Sequence, residues 1–259
     1  MLHYLGDYMT AQTLPKKLNK EPLVDAVFEI RFSSSTVASN VLPGFFFAKL
    51  GTKEWLVDPL PVAQVPSQIR SLDPNLRYQP LMRIHWDNFV IMIGDTALAV
   101  GCKMPYLGWI KFSERIAKVV ELLMDTKIVQ TIERYSLKYV DMVDGENLAK
   151  QIQRINMDIR VGSHTVREET FTVRLEIPHD NVINVIQVAA PATATMPDGQ
   201  VRKGALVDID TICNYQTSDL SKFTDELPTR LDAIHTENKK MFFDCLRPET
   251  VEYLEPIYE

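Results

Sequence analysis

Six ionisable side chains recur at alternating positions in three stretches where apolar and polar residues alternate. Successive side chains of a β-strand point to opposite faces of a sheet, so each stretch would place its ionisable residues on one face. If the three strands are neighbours, that face carries a row of guanidinium, imidazole and carboxylate groups. The candidate ligand-binding residues are Glu29, Arg31, Arg83, His85, Arg134 and Lys138.

Two arrangements of this polar row are open. The row could hold an anion, or its charges could form salt bridges with one another under a covering loop, and we favour the second arrangement. The segment from residue 58 to residue 80 is rich in prolines, which disfavour regular strand pairing. It is long enough to be a functional loop, but we favour an extended arm across the surface, with Ile69 and Leu72 as its anchors.

Metal chemistry has one weak candidate in the sequence. Asp208 and Asp210 are two residues apart in a predicted strand, which would put both carboxylates on one side for a divalent cation. Any exposed strand face with acidic residues shows the same spacing. The five histidines are well separated, and none has a His or Cys partner at ligand spacing. We therefore predict no metal site.

Catalytic motifs are missing from the sequence. It contains no Gly-x-Ser-x-Gly elbow, no phosphate-binding glycine-rich loop and no dinucleotide fingerprint. Cys102, Cys213 and Cys245 are scattered in apolar stretches and are typical of buried free thiols. We predict no catalytic residue and no cofactor.

Bulk properties narrow the class of protein. The formal net charge of −6 argues against a nucleic-acid partner, since such proteins usually carry a basic excess. No apolar run approaches the roughly 20 residues that span a bilayer, and the first residues do not follow the order of a secretory signal. We expect a cytoplasmic, bacterial protein without a membrane segment.

The densest apolar stretch, residues 81–143, predicts three strands, a helix and a fourth strand. Two continuous apolar runs in it are separated by Gly94-Asp95, which predicts a two-residue hairpin loop. Apolar residues at steps of three and four predict the helix at 109–124, and alternation predicts the strand at 133–143. An antiparallel sheet with a helix across it buries both apolar faces.

The fold class predicted from these patterns is α+β, with antiparallel sheets packed against long amphipathic helices. The second half repeats the plan of strands followed by a helix, here at 224–246 with Pro228 in its first turn, so two similar halves are possible. We predict a loose N-terminal leader at 1–20, an α+β subdomain at 21–145 and a second at 146–259.

A resemblance covers nearly the whole chain. Three motifs carry it: Glu21–Phe32, Tyr135–Val143 and His235-x-x-Asn238-x-x-x-Phe242. They resemble a sporadically distributed bacterial family of about this length that is known only as a family of unknown function. The chain departs from that family at residues 89–102, where the family has a more charged, Arg-rich strand pair. The resemblance implies a cytoplasmic accessory, defence-linked or mobile-element protein, and it carries no catalytic residues.

Two functions remain open. The first is a non-enzymatic binding or assembly protein with a protein partner or a homo-oligomeric state, as an accessory component of a bacterial defence or toxin-control system. The second is a small-molecule or anion-binding domain, or an enzyme, that uses the polar face of the first-half sheet. We favour the first, because no catalytic constellation is present and the apolar run at residues 45–47 suits an interface.

Overall fold

The computed structural model describes residues 13–51 and 56–258. Within them the strands are β1 Lys17–Leu18, β2 Leu23–Ser34, β3 Val57–Pro59, β4 Met82–Trp86, β5 Phe89–Ile93, β6 Ala97–Cys102, β7 Val129–Asp144, β8 Arg160–Val161, β9 His164–Thr165, β10 Phe171–His179, β11 Val182–Thr195, β12 Val201–Thr217 and β13 Pro256–Ile257. The α-helices are α1 Ala38–Leu50, α2 Ser67–Leu72, α3 Trp109–Asp125, α4 Leu148–Arg154, α5 Leu220–Asp244 and α6 Pro248–Tyr253.

One nine-stranded sheet forms the body of the fold, in the order β10-β11-β12-β7-β2-β6-β5-β4-β3. Every neighbouring pair in it is antiparallel. The predicted α+β class, with an antiparallel sheet packed against helices, is confirmed.

Strict alternation in β2 determines which face of the sheet is buried. Ala26, Phe28, Ile30 and Phe32 point to one face and are fully buried. The helices α1, α3 and α5 contribute apolar residues to the same core. Burial of the three large side chains from β2, Phe28, Ile30 and Phe32, is worth roughly 1.5–3 kcal/mol each, which holds the helical layer on this face.

The helices follow their apolar stripes. Helix α3 matches the predicted 109–124 within one residue, and its stripe is buried against the sheet. Helix α5 begins at Leu220, four residues before the predicted start, because the side chain of Asp219 caps it by accepting from the Lys222 amide at 3.0 Å. The placement of Pro228 in the first turn was therefore wrong, because it lies inside the helix.

Two apolar cores lie along the helical face of the sheet. The first contains buried apolar residues of β2, β4–β7, α1 and α3. The second contains those of β11 and most of those of β12, with Leu18 and Leu254. Helix α5 contributes Phe223 to the first and Phe242 to the second. Since β12 pairs with β7, strands from both predicted halves share one sheet. The division at residue 145 stays a prediction.

The predicted leader and the proline-rich segment both contain regular elements. Residues 1–12 of the predicted leader lie outside the described residues, and Lys17–Leu18 pairs with Pro256–Ile257. The segment predicted to be irregular, 58–80, holds part of β3, a 3-10 turn at Pro61–Gln64 and α2. In the described part of the chain, no helix is long and apolar enough to cross a membrane.

The Gly94-Asp95 loop is longer than predicted. Strand β5 ends at Ile93 and β6 begins at Ala97, so three residues connect them instead of two. Asp95 accepts hydrogen bonds from Ser39 at 2.7 Å and from Arg70 Nη2 at 2.8 Å. These bonds tie the loop to α1 and α2, a function that a tight two-residue turn would not serve.

Candidate functional site

The side chains of the sheet that point away from α1, α3 and α5 form its second face, which we call the helix-free face. Register places Glu29 beside Ser136, and Arg31 beside Arg134, on this face. On the other side of β7, Lys138 pairs with Asp210 of β12. Strands β2 and β7 thus bring four of the six predicted residues, Glu29, Arg31, Arg134 and Lys138, to one region.

A carboxylate shared by two guanidinium groups lies at the centre of the helix-free face. Arg31 Nε donates to Glu29 Oε1 at 2.6 Å, and Arg134 Nη2 donates to the same oxygen at 3.4 Å. These three side chains are only 21–25% exposed. Burial, with the neighbouring Arg31 charge, lowers the pKa of Arg134 from its usual value. Its Nε is buried and has no partner among the described residues.

Tyr78 covers one end of this group. The guanidinium of Arg31 lies 4.1 Å from the centroid of the Tyr78 ring, a cation–π distance. The Tyr78 hydroxyl donates to Glu133 Oε2 at 3.1 Å, and Arg77 Nη2 lies 3.8 Å from Glu133 Oε1. Burial and the Glu133 carboxylate raise the pKa of Tyr78. The proline-rich segment therefore crosses the surface here, over one part of the polar row.

The two aspartates of the weak metal candidate both lie on the helix-free face. Lys138 Nζ lies 2.8 Å from Asp208 Oδ2, so one carboxylate is in an ion pair. Burial raises the pKa of Asp210, although the Ser136 hydroxyl and Arg134 oppose that shift. Asp210 Oδ1 is buried without a partner among the described residues. In that same part of the chain, no group of three or more His, Cys, Asp or Glu residues could hold a metal ion.

Arg83 and His85 are on the same face but lie apart from the central group. They belong to β4, which is separated from β2 by β5 and β6. His85 Nε2 lies 2.8 Å from Asp58 Oδ2 on the edge strand β3. The polar row predicted from the sequence is thus divided into a central cluster and an edge pair, and their role in ligand binding stays a prediction.

A small cleft lies between these two groups. Its volume is about 170 Å³, and Glu29 and Tyr78 are the polar residues in its lining. Apolar residues of β2, β5 and β6, together with Pro80, complete the lining. Pockets for drug-sized ligands usually measure about 300–1,000 Å³, so this cleft fits one side chain or a small ion.

A second depression lies between α3 and α5 on the helical side. It measures about 410 Å³ and is lined by Glu114, Ala117, Lys118, Glu121, Thr224, Leu227 and Pro228. Lys118 and Glu121 form an exposed ion pair with each other at 3.1 Å. Flexible, solvated side chains of this kind do not fix a ligand, so the helix-free face is the better candidate.

Sequence reasoning missed Tyr78 and Ser136. Tyr78 belongs to an irregular segment whose path cannot be deduced from periodicity. The predicted anchors of that segment, Ile69 and Leu72, are exposed, whereas Arg70 between them is buried. Ser136 was visible on the polar side of its strand between Arg134 and Lys138. The buried environment of Asp210 depends on strand order, which local pattern does not encode.

Comparisons with known proteins add no family assignment: no protein-family model matches the chain, and no curated protein matches it.

Proposed function

We propose that this chain is a non-enzymatic binding protein that docks a protein partner on the helix-free face of its sheet. The observation that carries the proposal is the central cluster of half-buried charges, which are paired with one another. It lies on the face of the sheet that points away from the core helices. A covering partner would complete the burial of these groups.

The pairing of charges within the cluster favours a protein partner. Burying an unpaired charge is costly, whereas a charge that keeps its ion-pair partner can be covered at lower cost. Glu29 already bridges Arg31 and Arg134, and Lys138 already has Asp208. Aliphatic residues flank these pairs, among them Val27, Val140 and Leu206, which are half-buried. Such a mixture of anchoring arginines and apolar area is typical of protein interfaces.

The cleft beside Glu29 suits an anchor residue of that partner. Its volume of about 170 Å³ is close to that of a single side chain, and its lining is mostly apolar, with Glu29 and Tyr78 as the polar residues. Binding energy at interfaces is concentrated where such anchors fill pockets.

Two of the thiols, those of Cys102 and Cys245, provide no nucleophile for an enzymatic alternative. Burial raises the pKa of Cys102 to about 12 and that of Cys245 to about 11. A thiol protonated at neutral pH is a poor nucleophile.

The biological setting that we propose is a bacterial cytoplasm, with the chain as an accessory component of a defence or toxin-control system. The resemblance of Glu21–Phe32, Tyr135–Val143 and the His235 motif to the sporadic bacterial family supports this setting. Phage plating on cells that carry the gene with its neighbours tests it. Protection should fall when Lys138→Glu is introduced, and equal plating with and without the gene would contradict the setting.

The docking proposal is tested by co-purification with the products of the flanking genes. Lys138→Glu places a carboxylate next to Asp208 and should reduce recovery of the partner at least tenfold. Lys111→Glu makes the same charge change on the exposed side of α3 and should leave recovery unchanged. Equal recovery with both variants would contradict the use of this face.

A second candidate function is the binding of a small anion at the central cluster. The observation that favours it is the pair of guanidinium groups that share one carboxylate, which leaves one positive charge in excess. Inorganic phosphate should then raise the melting temperature of the wild type and of Arg83→Ala, but not that of Arg134→Ala. An unchanged melting temperature of the wild type in phosphate would remove this candidate.

A further inference from the structure

The two edges of the sheet differ sharply. One edge is β3, which has three residues and ends in Pro59, so it offers little for another strand to pair with. The other edge is β10, a nine-residue strand that pairs only with β11 among the described strands. Residues 174–179 are all exposed. A long edge strand with unpaired backbone groups is a template for strand addition.

At every second residue of β10, the backbone amide and carbonyl groups point to the open edge, where another strand could pair with them. In an antiparallel ladder, residues alternate between those that hydrogen-bond to a given neighbour and those that point away from it. The hairpin to β11 closes at His179 and Val182 around a two-residue loop, in which Asp180 has φ of 50°. By this alternation, the backbone groups of Arg174, Glu176 and Pro178 point to the outer side. Arg174 and Glu176 have amide donors there, whereas the nitrogen of Pro178 carries no hydrogen.

The side chains of β10 are self-complementary about Leu175. If a second copy runs antiparallel with the two Leu175 residues opposite each other, Arg174 of each copy lies opposite Glu176 of the other. Val173 then lies opposite Ile177 on the apolar side. Centring the pair on Arg174 or on Glu176 would instead oppose like charges, which is destabilising. Of these three registers, charge favours the one centred on Leu175.

Two apolar side chains of β10 are exposed, and a neighbouring strand would cover them. Leu175 is 51% exposed and Ile177 is 37% exposed, although both point to the helical face of the sheet. In the paired register, these residues and Val173 of both copies form one row of aliphatic contacts across the two-fold axis. Cross-strand pairs of this kind contribute about 0.2–1 kcal/mol each.

We propose that two copies of this chain associate through β10, in antiparallel register centred on Leu175, to form one continuous sheet across a two-fold axis. About six backbone hydrogen bonds would join the copies, since Pro178 lacks a donor. The contact is isologous and closes on itself, so it gives a dimer and not a filament. It lies at the edge of the sheet, and its failure would leave docking on the helix-free face unaffected.

Charge reversal with mixing tests the register. Arg174→Glu alone and Glu176→Arg alone each break the ion pair within β10, whose atoms are 2.6 Å apart, and each opposes like charges across the axis. Sedimentation of each variant should show dimerisation weakened at least tenfold relative to the wild type. A one-to-one mixture of the two variants restores opposite charges between copies but not within either copy, so it should recover the dimer. Recovery cannot come from restored folding of a single chain.

Cysteine cross-linking gives an independent measure on the same surface. Opposed residues in a non-hydrogen-bonded antiparallel pair have Cα atoms about 4.5 Å apart, which a disulfide can bridge. Leu175→Cys should therefore form a covalent dimer under mild oxidation. Thr172→Cys, placed about 20 Å from its symmetry mate in this register, should not.

Defined outcomes would overturn the proposal. These are a wild type that stays monomeric at all concentrations tested, or a dimer that persists in both charge variants. Failure of the mixture to recover the dimer, or equal cross-linking of Leu175→Cys and Thr172→Cys, would likewise exclude this register. Circular dichroism of each variant verifies that it is folded before these measurements are made.

Discussion

Asn238 ties α5 to the middle of the sheet. Its side-chain amide donates to the carbonyl oxygens of Leu137 at 3.1 Å and Ile209 at 2.9 Å, and it lies 3.1 Å from Thr211 Oγ1. Thr211 in turn donates to Asn184 Oδ1 at 2.9 Å. The network is buried, so loss of the donor leaves acceptors without partners.

Replacement of Asn238 should therefore be costly. We expect Asn238→Ala to lower the free energy of unfolding by about 2–4 kcal/mol, from two or more lost hydrogen bonds at about 1–2 kcal/mol each. Chemical unfolding measures the change. Asn40→Ala, an exposed substitution in α1, is the control and should change stability by less than about 0.5 kcal/mol. Similar values for the two variants would show that the network does not hold α5.

His235 makes the stability of the fold depend on pH. Its ring stacks on Trp109, with centroids 4.0 Å apart, and lies against Tyr139. Burial, aided by the charge of Lys239 and opposed by Asp232, lowers the pKa of His235 to about 4. The unfolded chain binds a proton near pH 6.5, whereas the folded chain does not until about pH 4. The stability that His235 contributes is thus present above pH 6.5 and is lost as the pH falls toward 4.

His235→Phe should remove this dependence while keeping the stacking on Trp109. Between pH 7 and pH 4.5 the wild type should lose about 2–3 kcal/mol more unfolding free energy than the variant, at about 1.4 kcal/mol per pKa unit. Comparing the two proteins at each pH cancels the opposite contribution of carboxyl groups whose pKa values burial raises, such as Asp141 and Asp210. Parallel stability curves for the two proteins would contradict the assignment.

At the scale of elements, close contact between β7 and β12 depends on Gly204. A Cβ at this position would lie 2.3 Å from the carbonyl oxygen of Val143, on the neighbouring backbone. Both strands are central in the sheet, so neither backbone can move away without breaking its pairing. At Gly44 in α1, by contrast, a Cβ would meet no atom within 4 Å.

The two glycines should respond to alanine in opposite directions. Gly204→Ala should destabilise the protein by about 1–3 kcal/mol through the steric clash. Gly44→Ala should stabilise it by about 0.5–1 kcal/mol, because alanine loses less conformational entropy in a helix. Thermal unfolding of both variants measures the difference. Stabilisation by both substitutions would mean that β7 and β12 can separate locally.

Elements with a strong local period were predictable, and their partners were not. Alternation of apolar and polar residues predicted β2, and the apolar stripe through Phe112 predicted α3, because each pattern is contained in one short window. The ion pair between Lys138 and Asp208 joins residues that are far apart in sequence, and no local pattern encodes it. The start of α5 was missed because its cap, Asp219, precedes the apolar stripe. The contact of Tyr78 with Arg31 depends on the path of an irregular segment.

At the scale of the whole molecule, helix α5 connects the two cores. Its N-terminal half buries Phe223 in the first core, and its C-terminal half buries Phe242 in the second. Pairing of β7 with β12 extends this connection across the sheet from Ile132 to Asp144. Residues that share a helix and a strand pair cannot unfold separately without breaking both, so one cooperative transition is expected.

Two matched substitutions in α5 test that expectation. Phe223→Ala and Phe242→Ala should each lower the unfolding free energy by about 3–5 kcal/mol, because each removes a buried aromatic ring. In a Trp55→Phe background, tryptophan fluorescence reports the first core through Trp86 and Trp109, whereas far-UV circular dichroism reports the whole chain. If the cores unfold together, Phe242→Ala shifts the fluorescence midpoint as far as the circular-dichroism midpoint, although its own site lies in the second core. A fluorescence midpoint that stays at the wild-type value in Phe242→Ala would instead identify two independently folding halves.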